Sequence, residues 1–418
     1  MEIKWVIKYS GEAHIVFTSP HTPSPASQLP LGRIASSIVN TQRLRKWAED
    51  NQDTHLLHLL DTIVFGSAPP PLRQNPVPNA PSSTAYTSRG FLQEDIAMVQ
   101  NSICTSGSPP MPHIIQPAFK VDKKDGVSSR FILDCRKTND IWDTPPPMGL
   151  PSIDAILYIA SRWRYHATLD ATSFFFQIPL ARSIQGMFGC RLACKRGRFW
   201  RHFLARLPMG FSWAPALAQA IANAACRMAE STRTGTQHKF AIPAWVDNFI
   251  ILAESVSALR HAQFALLQAL QWFNIAHKGW ETGDILGLTF SRKGIKQGER
   301  YITSASAVLN NALNQEKLSD LSIMKIGGCL IWAGLTTLRC PLSAYPHTIR
   351  ALQIAAKGTR VISVTEQLRL EWTRWLVRFQ TNAVFNFPPC AVPRPSTLWT
   401  DASLSRSAYV HHKGNHIS

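Results

Sequence analysis

The sequence predicts an α+β fold, and three observations carry that expectation. Short strand-like runs, "HIIQPAFKV" and "RFILDC", meet at the turn signal "DKKDG", which is the pattern of an antiparallel hairpin and not of repeating βαβ units. Longer segments with apolar residues at three- and four-residue spacing, "LSDLSIMKIGGCLIWAGLTTL" and "VTEQLRLEWTRWLVRFQ", make the region from about 300 to 380 helical. A chain of 418 residues with 45% hydrophobic content is long enough for two or three domains with real cores.

Taken in order, the start "MEIKWVIKYSGEAHIVF" places Glu2, Lys4, Lys8 and Glu12 where a signal peptide needs an unbroken apolar core. No run approaches the roughly 18 apolar residues of a membrane span. The expectation is an intracellular protein, of the cytoplasm or nucleus, neither secreted nor membrane-bound. Residues 18 to 41 are rich in Ser, Pro and Thr, and "SAPPPLRQNPVPNAPSS" (Ser67 to Ser83) cannot hold a regular helix, because Pro lacks the N–H and fixes φ. Between them "RLRKWAEDNQDTHLLHLLDTIVF" reads as helical, with Leu56, Leu57, Leu59 and Leu60 on one apolar face. Residues 1–85 therefore read as an N-terminal extension with a Pro-rich linker. "FLQEDIAMVQNSI" is a further helix, and "STLWTDASLSRSAYV" (Ser396 to Val410) begins a new strand. None of the eight cysteines forms a C-x-x-C pair, so buried free thiols are expected rather than a zinc site.

Charge narrows the partner. Lys plus Arg outnumber Asp plus Glu by 44 to 26, a net +18, and aromatics make up 10% of the chain. That balance suits a polyanion, with cations on phosphates and aromatic faces against bases.

One stretch poses a chemical question. "IPAWVDNFIIL" (Ile242 to Leu252) has two apolar runs around the tip Val246-Asp247-Asn248, a β-hairpin whose turn carries the segment's one acidic residue. Asp and Asn are ordinary turn residues. A hairpin tip is also a rigid place for a metal ligand, and such a ligand needs a second carboxylate. Upstream, "YHATLDATSFFFQIPLA" places Asp170 at the end of a short strand, where capping is the plain alternative. Between the two, "RLPMGFSWAPALAQAIANAA" reads as a loop shaped by Pro208, Gly210 and Pro215, then a helix from Ala216.

In this order and at these separations, "ATLDATSFFFQIPL", "LPMGFSWAPALAQ" and "AWVDNFIIL" resemble the consecutive palm motifs of retrotransposon reverse transcriptases. "AFKVDKKDGVSSRFILDCRKTND" resembles the finger motif, and "ILGLTF" resembles the hairpin that grips the primer. The resemblance covers roughly residues 86–300 and implies a right-hand polymerase fold: fingers and a palm with an antiparallel sheet at 86–300, and a helical thumb or connection at 301–390. The flanks, "RKWAEDNQDTHLLHLLDTIVFG", "LRLEWTRWLVRF" and "LWTDAS", look like DIRS-like elements and their trypanosomatid relatives, in which a ribonuclease H domain follows. Asp401 matches the first metal-binding aspartate of that domain. No Asp or Glu follows it, so 391–418 is expected to be a truncated start without ribonuclease H activity.

The resemblance also implies roles. Asp170 and Asp247, with the Ala171 carbonyl, would hold two Mg²⁺ or Mn²⁺ ions, because nucleotidyl transfer develops charge on both entering and leaving oxygens. Phe175 matches the bulky position that excludes a ribose 2′-OH. Lys123 and Arg130 match positions that hold the incoming triphosphate, Met209 and Gly210 would line the nucleotide and template pocket, and Lys278 would protonate the leaving pyrophosphate. The implied partners are an RNA template, a DNA primer and dNTPs. One position departs from the family, which has two aspartates where this chain has Asp247-Asn248. The amide removes one negative charge from a site meant for two dications. Two readings follow: an RNA-directed DNA polymerase weakened by Asn248, or an inactive palm that binds nucleic acid or a protein partner.

Overall fold

The structure is a computed structural model that describes residues 29–73, 91–110, 112–123, 126–163, 165–193, 199–232, 239–281, 284, 286–291, 294–334, 336, 345–358 and 360–381, with backbone strands at 2–7, 13–18, 397–402, 407–413 and 416–417. The chain opens with an antiparallel pair, β1 (Glu2–Ile7) and β2 (Ala13–Thr18). An irregular stretch from residue 29 then leads to α1 (Thr41–Asp50) and α2 (Thr54–Leu59), which continues as a π-helical turn over Leu60–Phe65. Asn40 and Asp53 cap the two helices, each side chain accepting an N–H three residues on. The π-turn ends at Gly66 with φ 68°.

The next segment holds α3 (Gln93–Ile103), β3 (Ile115–Gln116), β4 (Ala118–Asp122), β5 (Ser129–Leu133), α4 (Arg136–Ile141) and α5 (Ile153–Arg162). The hairpin predicted around "DKKDG" is β4 against β5, with Val121 opposite Arg130. After β6 (Tyr165–Asp170) and the one-turn α6 (Phe174–Gln177), β7 (Gly189–Ala193) pairs with β8 (Phe199–Phe203) and in parallel with β3.

The central sheet forms next. The helix α7 (Ala214–Glu230) leads to β9 (Phe240–Ala241), β10 (Ala244–Trp245) and β11 (Asn248–Ala253), and α8 (Val256–Trp272) follows. β11 lies between β6 on one side and β9 and β10 on the other, all antiparallel. Phe249 to Ala253 are all buried, as a strand covered on both faces must be. Small side chains let the helices approach closely: Ala214, Ala216, Ala218, Ala220, Ala222, Ala224 and Ala225 of α7 are buried, and α8 turns Ala258, Ala262, Ala265 and Ala269 inward.

A hairpin of β12 (Leu288–Ser291) and β13 (Gly294–Gln297) precedes the helical region. There α9 (Glu299–Leu313), β14 (Lys317–Ser319), α10 (Asp320–Ala333), α11 (Pro346–Ala356), β15 (Val361–Ser363) and α12 (Glu366–Thr381) surround their own core, with Trp372, Trp375 and Tyr345 among its largest buried side chains. Its helices follow the predicted apolar spacing. The buried Glu371 ties α12 to the start of α11 by accepting the His347 and Thr348 N–H groups at 3.0 Å each. Last comes an antiparallel sheet of β16 (Thr397–Ala402), β17 (Ser407–Lys413) and β18 (His416–Ile417).

The N-terminal part packs differently from the picture of a helical piece set apart by loose stretches. Leu31, Ile34 and Val39, scattered through the Ser/Pro-rich run, are buried in the same core as the central sheet, together with Leu44, Leu56 and Leu59 of α1 and α2. No periodicity announces such a strap. Its backbone N–H groups are satisfied by distant partners, Gly32 by Ser129 at 2.9 Å and Val39 by Gln177 at 2.9 Å. The linker expected at 67–83 lies outside the described residues from 74 onward. Cys135, Cys190 and Cys226 are buried free thiols as expected, Cys104 and Cys329 are half-buried, and Cys194, Cys340 and Cys390 lie outside the described residues. No described helix is long and apolar enough to cross a membrane.

Candidate active site

The site begins where β6 ends. Asp170 is the last residue of β6 and pairs across the sheet with Asn248, the first residue of β11. Opposite residues of an antiparallel pair point to one face. Asn248 also pairs with Trp245, so the hairpin loop is two residues, Val246 and Asp247, not the predicted three-residue tip. The amide belongs to the strand and the carboxylate to the loop. The Ala171 N–H donates to the Asp247 carbonyl at 2.7 Å, which locks the residue after Asp170 onto the loop.

The loop is strained and held. Val246 has φ 56°, in the left-handed region that a β-branched residue rarely enters. Such a conformation costs on the order of 1–3 kcal/mol and persists only where the surroundings enforce it. Gln219, fully buried on α7, provides the enforcement: its Oε1 accepts the Val246 N–H at 2.7 Å, and its Nε2 donates to the Ala244 carbonyl at 2.9 Å and to Asn223 Oδ1 at 2.8 Å. Gln219 was not singled out from the sequence. Two amides one turn apart, Gln219 and Asn223, in an otherwise alanine-rich helix are the signal that could have found it.

Lys278 closes the other side. Its N–H donates to the Asp170 carbonyl and its Nζ to Asp170 Oδ2, both at 2.9 Å. The hydrogen bond to Asp170 holds the Lys278 ammonium pKa above the ordinary lysine value, outweighing partial burial. Gln177, also buried, fixes this loop by accepting the Ala276 N–H at 2.7 Å and donating to the carbonyls of Thr172 and Ala276. Asp247 is exposed at its surface but crowded by protein on its other sides. That crowding raises its carboxyl pKa above the usual value, the charge of Asp170 adds to the rise, and Arg130 and Lys278 oppose it. The exposed face keeps water in contact with the carboxylate and screens these charges.

Oxygen donors gather here. Among the described residues no three His, Cys, Asp or Glu side chains converge. The hard donors are the carboxylates of Asp170 and Asp247 and the Oδ1 of Asn248, a buried oxygen with no hydrogen-bond partner. Two repelling carboxylates and an orphaned amide oxygen fit a divalent cation such as Mg²⁺, with remaining ligand positions left to backbone, water or phosphate. Ala171, whose carbonyl was a candidate ligand, is buried at the same turn.

The other predicted residues surround this centre. Arg130 is exposed on β5, near enough for its charge to act on Asp247. Lys123 lies just past β4, with its Nζ over the Cα of Gly32. Phe175 is half-buried, while its neighbours Phe174 and Phe176 are 1% and 4% exposed and belong to the core. Met209 packs partly against that core. Gly210 has φ 110°, and a Cβ there would come within 2.5 Å of the Leu133 carbonyl, so the loop needs glycine to lie on β5. Asn139 clamps that loop, donating to the Gly210 carbonyl at 2.9 Å and accepting the Ser212 N–H at 2.9 Å. Asp401 stands apart, on β16 opposite Ala408, and its side chain lies outside what is described.

The same region carries the match to known proteins. Residues 121–278, which span Lys123, Arg130, both aspartates and Lys278, match the family described as reverse transcriptase (RNA-dependent DNA polymerase). The chain contains a reverse transcriptase domain. The domain is similar to part of the Gag-Pro-Pol polyprotein of Human T-cell leukemia virus 2, 32% identical over 162 residues, which is 37% of this chain and 10% of the polyprotein. The chain thus spans about a tenth of that relative. Among solved structures it resembles a foamy viral protease-reverse transcriptase in complex with double-stranded DNA, with TM-score 0.57, 15% identity, and 98% of this chain and 76% of that one covered. A second, the foamy viral protease-reverse transcriptase with an RNA/DNA hybrid, gives TM-score 0.54 at 14% identity, covering 92% and 51%. At such identity the likeness establishes the fold, the reverse transcriptase polymerase fold with its palm sheet and helical elements.

Proposed function

We propose that this chain is the RNA-directed DNA polymerase of a retrotransposon, extending a DNA primer on an RNA template with dNTPs. The observation that carries the reading is the convergence of Asp170 and Asp247 from separate elements, next to Arg130 and Lys278. Bound Mg²⁺ or Mn²⁺ would supply charge stabilisation for the entering and leaving oxygens. The chain's own residues do the rest. Asp170 and Asp247 would hold the ions, with Asn248 Oδ1 a neutral third donor. Lys123 and Arg130 orient the triphosphate by pairing its oxygens. Phe175 fills the space a 2′-OH would need. Lys278 Nζ, kept protonated by Asp170, donates its proton to the departing pyrophosphate.

The DIRS-like assignment rests on the flanking segments, and 391–418 reads as the start of a ribonuclease H-like domain on "LWTDAS" and an antiparallel β16–β17–β18 sheet. An intracellular setting, in cytoplasm or nucleus, follows from the substrates. A second reading is favoured by one residue: Asn248 leaves the centre a charge short, which suits a palm that binds nucleic acid or a protein partner without catalysis.

Primer extension on an RNA template with Mg²⁺ or Mn²⁺ separates the two. The polymerase reading expects extension that Asp170→Ala and Asp247→Ala abolish. A silent native chain rescued by Asn248→Asp marks a palm weakened by the amide, and silence from both with retained primer–template binding establishes the binder.

A further inference from the structure

The strap at residues 29–40 precedes the residues matched to the family and has no role in the chemistry described so far. Its course is specific. At one end it is pinned to β5, the strand bearing Arg130: Gly32 N–H donates to the Ser129 carbonyl at 2.9 Å, and Ser129 N–H donates to the Pro30 carbonyl at 2.8 Å. The buried Asp95–Lys120 pair fixes the same stretch, Asp95 accepting the Leu31 N–H at 2.8 Å and Lys120 donating to the Leu29 carbonyl at 2.7 Å. One residue further on, Ser173 Oγ donates to the Arg33 carbonyl at 3.2 Å. Ser173 itself is left-handed at φ 50°, in the turn between Asp170 and Phe175. Residues 31 to 33 therefore bridge the β4–β5 hairpin, which carries the candidate triphosphate cations, and the turn of the candidate catalytic carboxylate.

Two side-chain facts give the bridge a chemistry. A Cβ at Gly32 would meet Lys123 Nζ at 2.0 Å and Lys123 Cε at 2.8 Å, so the Lys123 ammonium rests where any other residue would put a side chain. Arg33 is exposed, and its guanidinium has no hydrogen bond or ion pair among the described residues. A second arginine, Arg130, is exposed on the adjoining strand. Arg33 follows Gly32 and Arg130 follows Ser129, and the Gly32 and Ser129 backbones are hydrogen-bonded to each other, so cations from two segments are carried to one place where an anion among them would be favoured. The nearest chemistry that calls for one is the triphosphate.

We propose that this strap is one wall of the nucleotide site, with Gly32 seating Lys123 and Arg33 adding a cation that pairs with the triphosphate. The proposal rests on the polymerase reading for the identity of its ligand. A guanidinium offers phosphate a planar fork of donors, which suits it to this contact better than an ammonium.

The test uses the full chain in primer extension, with dNTP KM, kcat, primer–template Kd and Tm measured for each variant. Arg33→Ala is expected to raise dNTP KM about tenfold, the worth of one charge-assisted hydrogen bond, with primer–template Kd unchanged and part of the loss recovered in Arg33→Lys. Gly32→Ala is expected to leave Tm unchanged, because the end of a lysine side chain can swing aside, and yet to raise KM by displacing Lys123. In the Lys123→Ala background Gly32→Ala should then do nothing further, since both act through one ammonium. An unchanged KM in Arg33→Ala, or additive effects of Gly32→Ala and Lys123→Ala, overturns the proposal. If the native chain extends no primer, the polymerase reading fails separately, and binding of inorganic tripolyphosphate decides the strap: weaker binding in both Gly32→Ala and Arg33→Ala upholds it, and equal or absent binding overturns it.

Discussion

Gln219→Ala tests whether one buried amide shapes the catalytic hairpin. The substitution removes the acceptor for the Val246 N–H and the donor for the Ala244 carbonyl, in a helix position that is fully buried. Each orphaned buried backbone group costs about 1–3 kcal/mol, so the loss of global stability should be about 2–6 kcal/mol. A second effect follows from the first. The left-handed Val246, no longer held, relaxes toward an ordinary conformation and carries Asp247 with it. A displacement of about 1 Å at a catalytic ligand costs on the order of 100-fold in rate. Urea denaturation measures the first effect, and single-nucleotide extension by the folded fraction measures the second. Gln219→Met keeps the volume and loses both polar groups, so a stability loss close to that of the alanine variant assigns the effect to the amide's hydrogen bonds and not to packing. If Gln219→Ala loses less than about 1 kcal/mol and keeps native kcat, the amide is not the hairpin's clamp and the strain at Val246 is enforced by something else.

Three further outcomes are expected. Lys120→Met strands Asp95, since the pair is 1% and 3% exposed, and should cost about 3–5 kcal/mol at pH 7 by urea denaturation. Burial alone would raise the Asp95 pKa, but Lys120 and the Leu31 and Leu92 N–H groups hold it below the ordinary value. Its stabilisation is therefore present above the unfolded carboxyl pKa and lost as pH falls through the lower folded one; in Lys120→Met burial dominates, so the deficit should shrink on acidification, and a deficit equal at pH 7 and pH 5 would refute this. Asp247→Asn should raise the Tm of the metal-free chain at pH 7, because the raised Asp247 pKa means its ionisation costs stability above that pKa, and the gain should vanish at acid pH. The same variant should lose stabilisation by Mg²⁺, which is about 1.4 kcal/mol for the native chain at tenfold over Kd, while Asn248→Asp should bind the ion more tightly. Primer–template affinity should fall steeply with salt, by about 10³-fold between 50 and 200 mM if six or more phosphates are contacted, and a salt-indifferent Kd would point to a protein partner instead.

The order of strand-carboxylate, glycine loop and helix, and hairpin-carboxylate was legible in the sequence because each piece announces itself locally. Turn residues, a Pro in the first helical turn and apolar runs of strand length are near-neighbour signals. So are α10 and α12, whose apolar residues recur every three or four positions.

What the sequence could not show is every contact made between parts far apart in the chain. The cross-strand pairing of Asn248 with Asp170 depends on register, and shifting it by one residue would turn the amide to the other face. Gln219, Gln177 and Asn139 act through hydrogen bonds to backbone groups 5 to 99 residues away, which no local pattern encodes. The strap is the clearest case: Leu31, Ile34 and Val39 have neither helical nor strand periodicity, and their burial and the seating of Lys123 on Gly32 arise only when β5 and the Asp170 turn supply the other half of each contact. Local chemistry determined the elements and the order of the carboxylates, and tertiary packing alone decided how those carboxylates are held, because a buried polar group takes its partner from whatever the fold brings beside it.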